Sequence, residues 1–272
     1  MWFNGFMVVI DMALAHLDEP LLRRQRDALI LGAFREDVCF LPGAGLVFQS
    51  PSLTHFARRG VPGGFIPYLW PGAAQRARKF FDRALREMRA GRPSAAFVQL
   101  GRAAHPLIDM ACPVHAQGVA HTTDPFEWCV EAMGEELRRL AVPDVQARTV
   151  EEIVSGMARC AQGFAADKTN SPWGGVLRRL GLRQPVRAAL AREQARVLIP
   201  QAAGCSAALF RAFLAAAKPA PRTDAPPMAH LEMSPAGLRS WLAQLEGFCR
   251  RHGGARHYQD LLELIARCRV AS

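Results

Sequence analysis

The sequence predicts an all-α protein, and three observations carry that prediction. Across 272 residues, half are hydrophobic and 21% are charged, enough apolar material for a sizeable buried core and too much for a disordered or fibrous chain. The residues that favour sheets are scarce, with six Thr, seven Ile and two Tyr, whereas Ala, Leu and Arg dominate. Finally, the apolar positions recur at helical spacing between recognisable start and stop signals.

Residues 1–17, MWFNGFMVVIDMALAHL, open with an apolar run that has no basic residue before it and contains Asp11. It does not read as a secretory signal and is too short to span a membrane. No other stretch reaches about 18 uninterrupted apolar residues, so the chain taken literally reads as soluble and unexported. Asp18-Glu19-Pro20 starts a helix through Leu21, Leu22, Leu29 and Ile30 that should stop at Gly32. Residues 35–69 are rich in proline and glycine and read as irregular, and so long a stretch in a compact domain is usually functional.

Residues 72–90 form a basic amphipathic helix ended by Gly91, and 94–111 a largely buried helix closed off by Pro113, with Pro106 as a kink near its end. Thr149-Val150-Glu151-Glu152 is a capping-box start for a helix to about Gly163. A long helical pattern over 185–217 should break near Pro200. Residues 218–229 are a Pro-rich linker, and Ser234-Pro235 and 256–268 mark helices in the tail. The expected organisation is a helical domain at 1–217, that linker, and a small helical tail at 230–272.

Lys and Arg total 34 against 24 Asp and Glu, a net charge of +10 that suits anionic partners without choosing between phosphate, nucleic acid and acidic lipid. The seven cysteines are scattered with no CxxC spacing, which marks neither a disulfide framework nor a thiolate zinc site.

The chemistry concentrates around histidine. His55, His105, His115 and His121 fall within one stretch together with Asp37, Asp109 and Glu127, a set of nitrogen and oxygen donors that suits Zn²⁺, with Mn and Fe as the alternatives, in a catalytic rather than a structural site. His105 and Asp109, at i and i+4 on an apolar helix, share one face and are close enough to share a metal; a buried His–Asp hydrogen bond is the alternative. Pro113 turns the chain so that His115 can approach. Asp124 and Pro125 start a new helix, leaving Glu127 in its first turn as a ligand or as an ordinary dipole-facing acid.

Four segments, GAFREDV, SLTHFARRG, AAFVQLGRAAHPLIDMACPVHA and HTTDPFEWCVE, occur in this order. Together they resemble the bacterial zinc-dependent phospholipases C, the family of the clostridial alpha-toxin lecithinase domain, and more distantly the single-strand-specific zinc nucleases. The resemblance spans about residues 8–217 and includes EQARVLIPQAA at 193–203. It implies a multi-helix bundle with a metal cluster in a cleft. One zinc would be held by Asp37, His55, His105 and Asp109, and a second by His115, His121 and Glu127. Asp109 would bridge to a third, completed in the family by an N-terminal Trp and a nearby His. Here Trp2 follows Met1 and no His stands at that place, so the cofactor expected is two or three zinc ions. Asp37 would also be the base that orients the attacking water.

The activity implied is hydrolysis of a phosphodiester in a phospholipid head group by metal-activated water. The alternatives are a single-strand nuclease using the same metals and a zinc-binding helical protein without turnover. The resemblance implies a secreted or periplasmic bacterial protein, and the oligomeric state is not indicated. The basic helix 72–90 could lean on an anionic membrane surface, although such charge runs usually form a solvated face, and the aromatics of 38–70 could rim a lipid site or simply pack in the core.

Overall fold

The computed structural model describes residues 3–36, 38–41, 45–48, 72–119, 124–147, 149–169, 172–217 and 227–231, with four residue pairs between 242 and 266. The all-α expectation holds, with one short hairpin as its exception among the described residues: β1 (Val38–Leu41) pairs antiparallel with β2 (Gly45–Phe48), Val38 opposite Phe48. The VCFL and GLVF segments are short runs of apolar β-formers that pair locally inside a stretch whose composition reads as irregular.

Eleven helices are described. The first apolar run is α1 (Phe3–Leu17), followed by α2 (Pro20–Arg24) and α3 (Arg26–Arg35). The expected stop at Gly32 is overturned. The chain breaks at Gln25, and α3 runs through Gly32 because that glycine is a packing position: a Cβ there would lie 2.0 Å from the Val98 carbonyl oxygen. Next come α4 (Ala73–Arg89), which ends at Gly91 with φ 74°, and α5 (Pro93–Asp109), which runs through Pro106.

Pro113 opens the short α6 (Pro113–Ala116), and Asp124 caps α7 (Pro125–Ala132) by accepting the Phe126 N–H at 2.8 Å. After α8 (Gly134–Leu137), the Thr149–Glu152 capping box starts α9 (Val150–Gln162) as its sequence predicts. Then come α10 (Pro172–Arg179) and α11 (Ala188–Ala216). The break expected near Pro200 is absent, since α11 is continuous through it. Leu198 to Pro200 and Ala202 to Leu209 are buried, and packing against α1, α7 and α9 outweighs the hydrogen bond that proline removes. This helix is long and apolar enough to cross a membrane, but 72% of its apolar window lies inside the fold, so it is a core helix. A 3₁₀ turn, Pro227–His230, lies against α3 and α5, and Arg35 Nε donates to the Leu231 carbonyl at 2.8 Å. The expected tail helices fall largely outside the described residues.

The helix that positions the site is α5. Every residue from Ala95 to Asp109 is buried, with α3 and α4 packed along it. Its polar residues must therefore find partners inside the protein. The start of α1 is fixed by a neighbouring helix: the Glu131 carboxylate accepts the Asn4 backbone N–H at 3.1 Å, and the Asn4 side-chain amide donates to the Glu131 carbonyl at 2.9 Å. Asp11 of α1 binds the Arg26 guanidinium through both oxygens, at 2.6 and 2.9 Å, which joins α1 to α3.

Candidate metal centre

His105 and Asp109 are both fully buried on α5, with Nε2 and Oδ2 3.1 Å apart. The other ring nitrogen, Nδ1, lies 2.9 Å from the Ala33 carbonyl oxygen on α3. A carbonyl only accepts, so Nδ1 carries the proton and donates it there. In the neutral ring Nε2 then turns a lone pair toward the Asp109 carboxylate. Two acceptors facing each other at this distance are stable only with a shared proton or a cation that both ligate. Donation of the remote ring N–H to a backbone carbonyl is how metal-binding histidines are held. Phe6 stacks on the imidazole at 4.5 Å between centroids, which fixes the ring plane.

A second group gathers one turn further on. The Cys112 N–H bonds the Asp109 carbonyl at 2.9 Å, so the chain folds back directly at the end of α5. The ligand atoms of Cys112, His115 and Glu127 all lie within 4.8 Å of one another, and all three residues are buried. His115 Nε2 is 3.4 Å from Glu127 Oε1. Sulfur, nitrogen and oxygen donors in this number fit Zn²⁺. Burial pushes the Cys112 thiol well above its ordinary range, and the nearby Asp124 and Glu127 carboxylates push it further. The thiol would have to lose its proton to bind a cation; the type and proximity of the three donors are what fit a divalent metal.

Of the seven residues expected at the metals, the structure brings His105 together with Asp109 and His115 together with Glu127. Asp37, His55 and His121 lie outside the described side chains.

Cys112 joins a donor set expected to be nitrogen and oxygen alone. Its signal is the Cys-x-x-His spacing to His115 across the Pro113 turn, which a search for CxxC pairs passes over. A buried charge network was missed as well. Glu36 accepts from Arg102 Nε at 2.7 Å and from Arg76 Nε at 2.8 Å, and Arg102 lies 4.2 Å over the Phe80 ring. Burial alone would raise the Glu36 carboxyl, but Arg102, Arg76 and, more weakly, His105 hold it below the usual carboxylate range. This network anchors the chain immediately before residue 37.

No protein-family model matches the chain, and no curated protein matches it. Solved structures do. The alpha-toxin of Clostridium perfringens (avian strain SWCP) is similar over 80% of this chain and 64% of its own, at 15% identity and a TM-score of 0.54. The alpha-toxin of Clostridium absonum is similar over 83% and 67%, at 18% identity and a TM-score of 0.50. The chain has the alpha-toxin fold. It spans about two thirds of the length of those toxins, so the alpha-toxin-like domain accounts for only part of such a protein. Within that fold, both donor groups sit around the α5–α6 turn.

Proposed function

We propose that this alpha-toxin-like chain hydrolyses a phosphodiester bond in phospholipid head groups, as a zinc-dependent phospholipase C. The observation that carries the reading is the buried His105–Asp109 pair, two acceptors turned toward each other and held by the Ala33 carbonyl, with Cys112, His115 and Glu127 one turn away. So many buried donors are costly unless shared protons or a cation compensate them, and two clusters side by side favour the cation. Bound zinc would supply a water acidified toward neutrality and positive charge for the phosphate oxygens.

The chain's own residues do the rest. The Ala33 carbonyl and Phe6 orient His105 so that Nε2 meets Asp109. Cys112, His115 and Glu127 would provide the second ligand set, to which the resemblance adds His121, while it adds Asp37 and His55 to the first. Asp37 would act as the base that orients the attacking water; its neighbour in the chain, Glu36, is locked between Arg76 and Arg102. In-line attack by that water needs no serine or cysteine nucleophile.

The test is metal analysis of the purified protein alongside turnover of p-nitrophenyl-phosphorylcholine and lecithin, with and without chelator. Bound zinc, a chelator-sensitive rate on both substrates, and loss of both zinc and rate in His105→Ala are expected. Unchanged zinc content in His105→Ala would refute the site. Cleavage of single-stranded nucleic acid without lecithin hydrolysis would assign the site to a nuclease, and zinc without turnover of any diester would leave a binding protein.

A further inference from the structure

We infer that the corner between α10 and α11 is a docking surface for a layer of anionic phospholipid. Leu180 and Leu182, at 64% and 72% exposure, are the most exposed large hydrophobic residues among those described, and Val176 on the same short helix is 46% exposed. They sit on a built turn. The Leu182 N–H bonds the Leu177 carbonyl at 2.9 Å, the Gly181 N–H bonds the Arg178 carbonyl at 3.0 Å, and Gly181 takes φ 72°. In this helix-ending motif the residue after the glycine usually packs back on the helix. Here it projects outward.

The segment is held on both sides by one buried carboxylate. Asp167 Oδ1 accepts the Thr169 N–H at 2.7 Å, and its Oδ2 accepts the Val186 N–H at 3.0 Å. The leucines are therefore presented by a tethered corner.

Charge selects the occupant. From residue 172 to 192 the chain carries five arginines and no Asp or Glu. Leucines on a tight turn among Arg178, Arg179, Arg183 and Arg187 match a lipid surface, with apolar side chains entering between acyl chains and guanidiniums meeting phosphates. A second copy of this chain would set like charge against like charge.

The start of α11, which follows the corner in the chain, lines a groove. This open groove of about 400 Å³ is lined by Asp124, Pro125, Trp128, Ala188 and Arg192. Asp124 Oδ1 also lies 3.9 Å from Cys112 Sγ, so one side chain of the groove wall touches the donor cluster. Delivery of a head group along this groove rests on the proposed phospholipase reading, but the surface itself does not.

The full chain is tested by co-sedimentation with phosphatidylglycerol vesicles, with phosphatidylcholine vesicles as the comparison. Leu180→Ser/Leu182→Ser and Arg178→Gln/Arg179→Gln should each lower the partition onto phosphatidylglycerol about tenfold, the arginine pair in a salt-dependent way. Zinc content, urea midpoint and the rate on water-soluble p-nitrophenyl-phosphorylcholine should stay unchanged, while hydrolysis of lecithin in mixed vesicles falls with binding. Equal binding by parent and variants, no binding by the parent, or a dimer abolished by Leu180→Ser/Leu182→Ser would overturn the proposal. Leucine-dependent vesicle binding without hydrolysis of any diester would retain this surface and refute the phospholipase.

Discussion

Gly101 lies directly against the Leu29 carbonyl: a Cβ on the glycine would come within 2.0 Å of that oxygen. Gly32 makes the reciprocal approach to Val98, so two glycines let α3 and α5 meet backbone to backbone. The same closeness allows Ala33, next to Gly32, to reach the imidazole of His105, one turn after Gly101.

Gly101→Ala must therefore push the helices apart. A loss of about 1–3 kcal/mol is expected from overpacking a rigid contact, read as a lower urea midpoint. Zinc retention should fall with it, because the Ala33 carbonyl withdraws from His105. An unchanged midpoint would show that this contact yields freely.

Cys112 and Cys205 are both buried, but only Cys112 stands beside His115 and Glu127. Cys112→Ser should weaken zinc retention in chelator competition by at least about tenfold, the lower limit for losing even a group that merely orients a ligand. Cys205→Ser should leave it unaltered. Burial pushes the Cys205 thiol up to about 12, so it should also resist alkylation at neutral pH in the folded protein. Equal zinc affinity in both variants would remove Cys112 from the site.

Glu36 gives a pH signature. Burial opposes its charge, yet Arg102 and Arg76 hold the folded-state value below the ordinary 4.5. A depressed carboxyl contributes stability that is complete above that ordinary value and is lost as pH falls below it through the folded value. Acid denaturation should steepen below about pH 4.5, and Glu36→Gln should remove this component. At neutral pH that variant leaves Arg102 buried without its carboxylate, for a cost of about 3–5 kcal/mol by chemical denaturation. A cost under 1 kcal/mol would show that Phe80 and other neighbours suffice for the guanidinium.

Glu131→Gln tests the anchoring of α1. The substitution keeps an acceptor for the Asn4 N–H but removes the charge, so a loss of about 1 kcal/mol in thermal or urea unfolding is expected. Glu131→Ala should cost more, since it removes the acceptor altogether. A Glu131→Gln variant as stable as the parent protein would mean that the charge at this helix start is irrelevant.

Local signals in the sequence read well. The Thr149 capping box, the Asp124-Pro125 start, the Gly91 stop and the i, i+4 pairing of His105 with Asp109 each depend on residues within one or two turns, and each appears in the structure. Signals that depend on a distant partner misled. Gly32 looks like a helix stop, but its missing side chain is needed by Val98, far along the chain. Pro200 looks like a break, but α11 is buried against three other helices. The Glu36–Arg102 pair was invisible for the same reason, because neither residue announces the other across 66 positions. Cys112 was readable in principle from its spacing to His115, but the thiol is committed to the site only by Glu127 arriving on α7.

The local origin of Cys112, His115 and Glu127 bears on how the domain assembles. An ion held by these three would close a segment of only sixteen residues, a short loop whose closure costs little chain entropy. In the proposed metal centre, this part of the protein could bind an ion before the long-range helix pairs form.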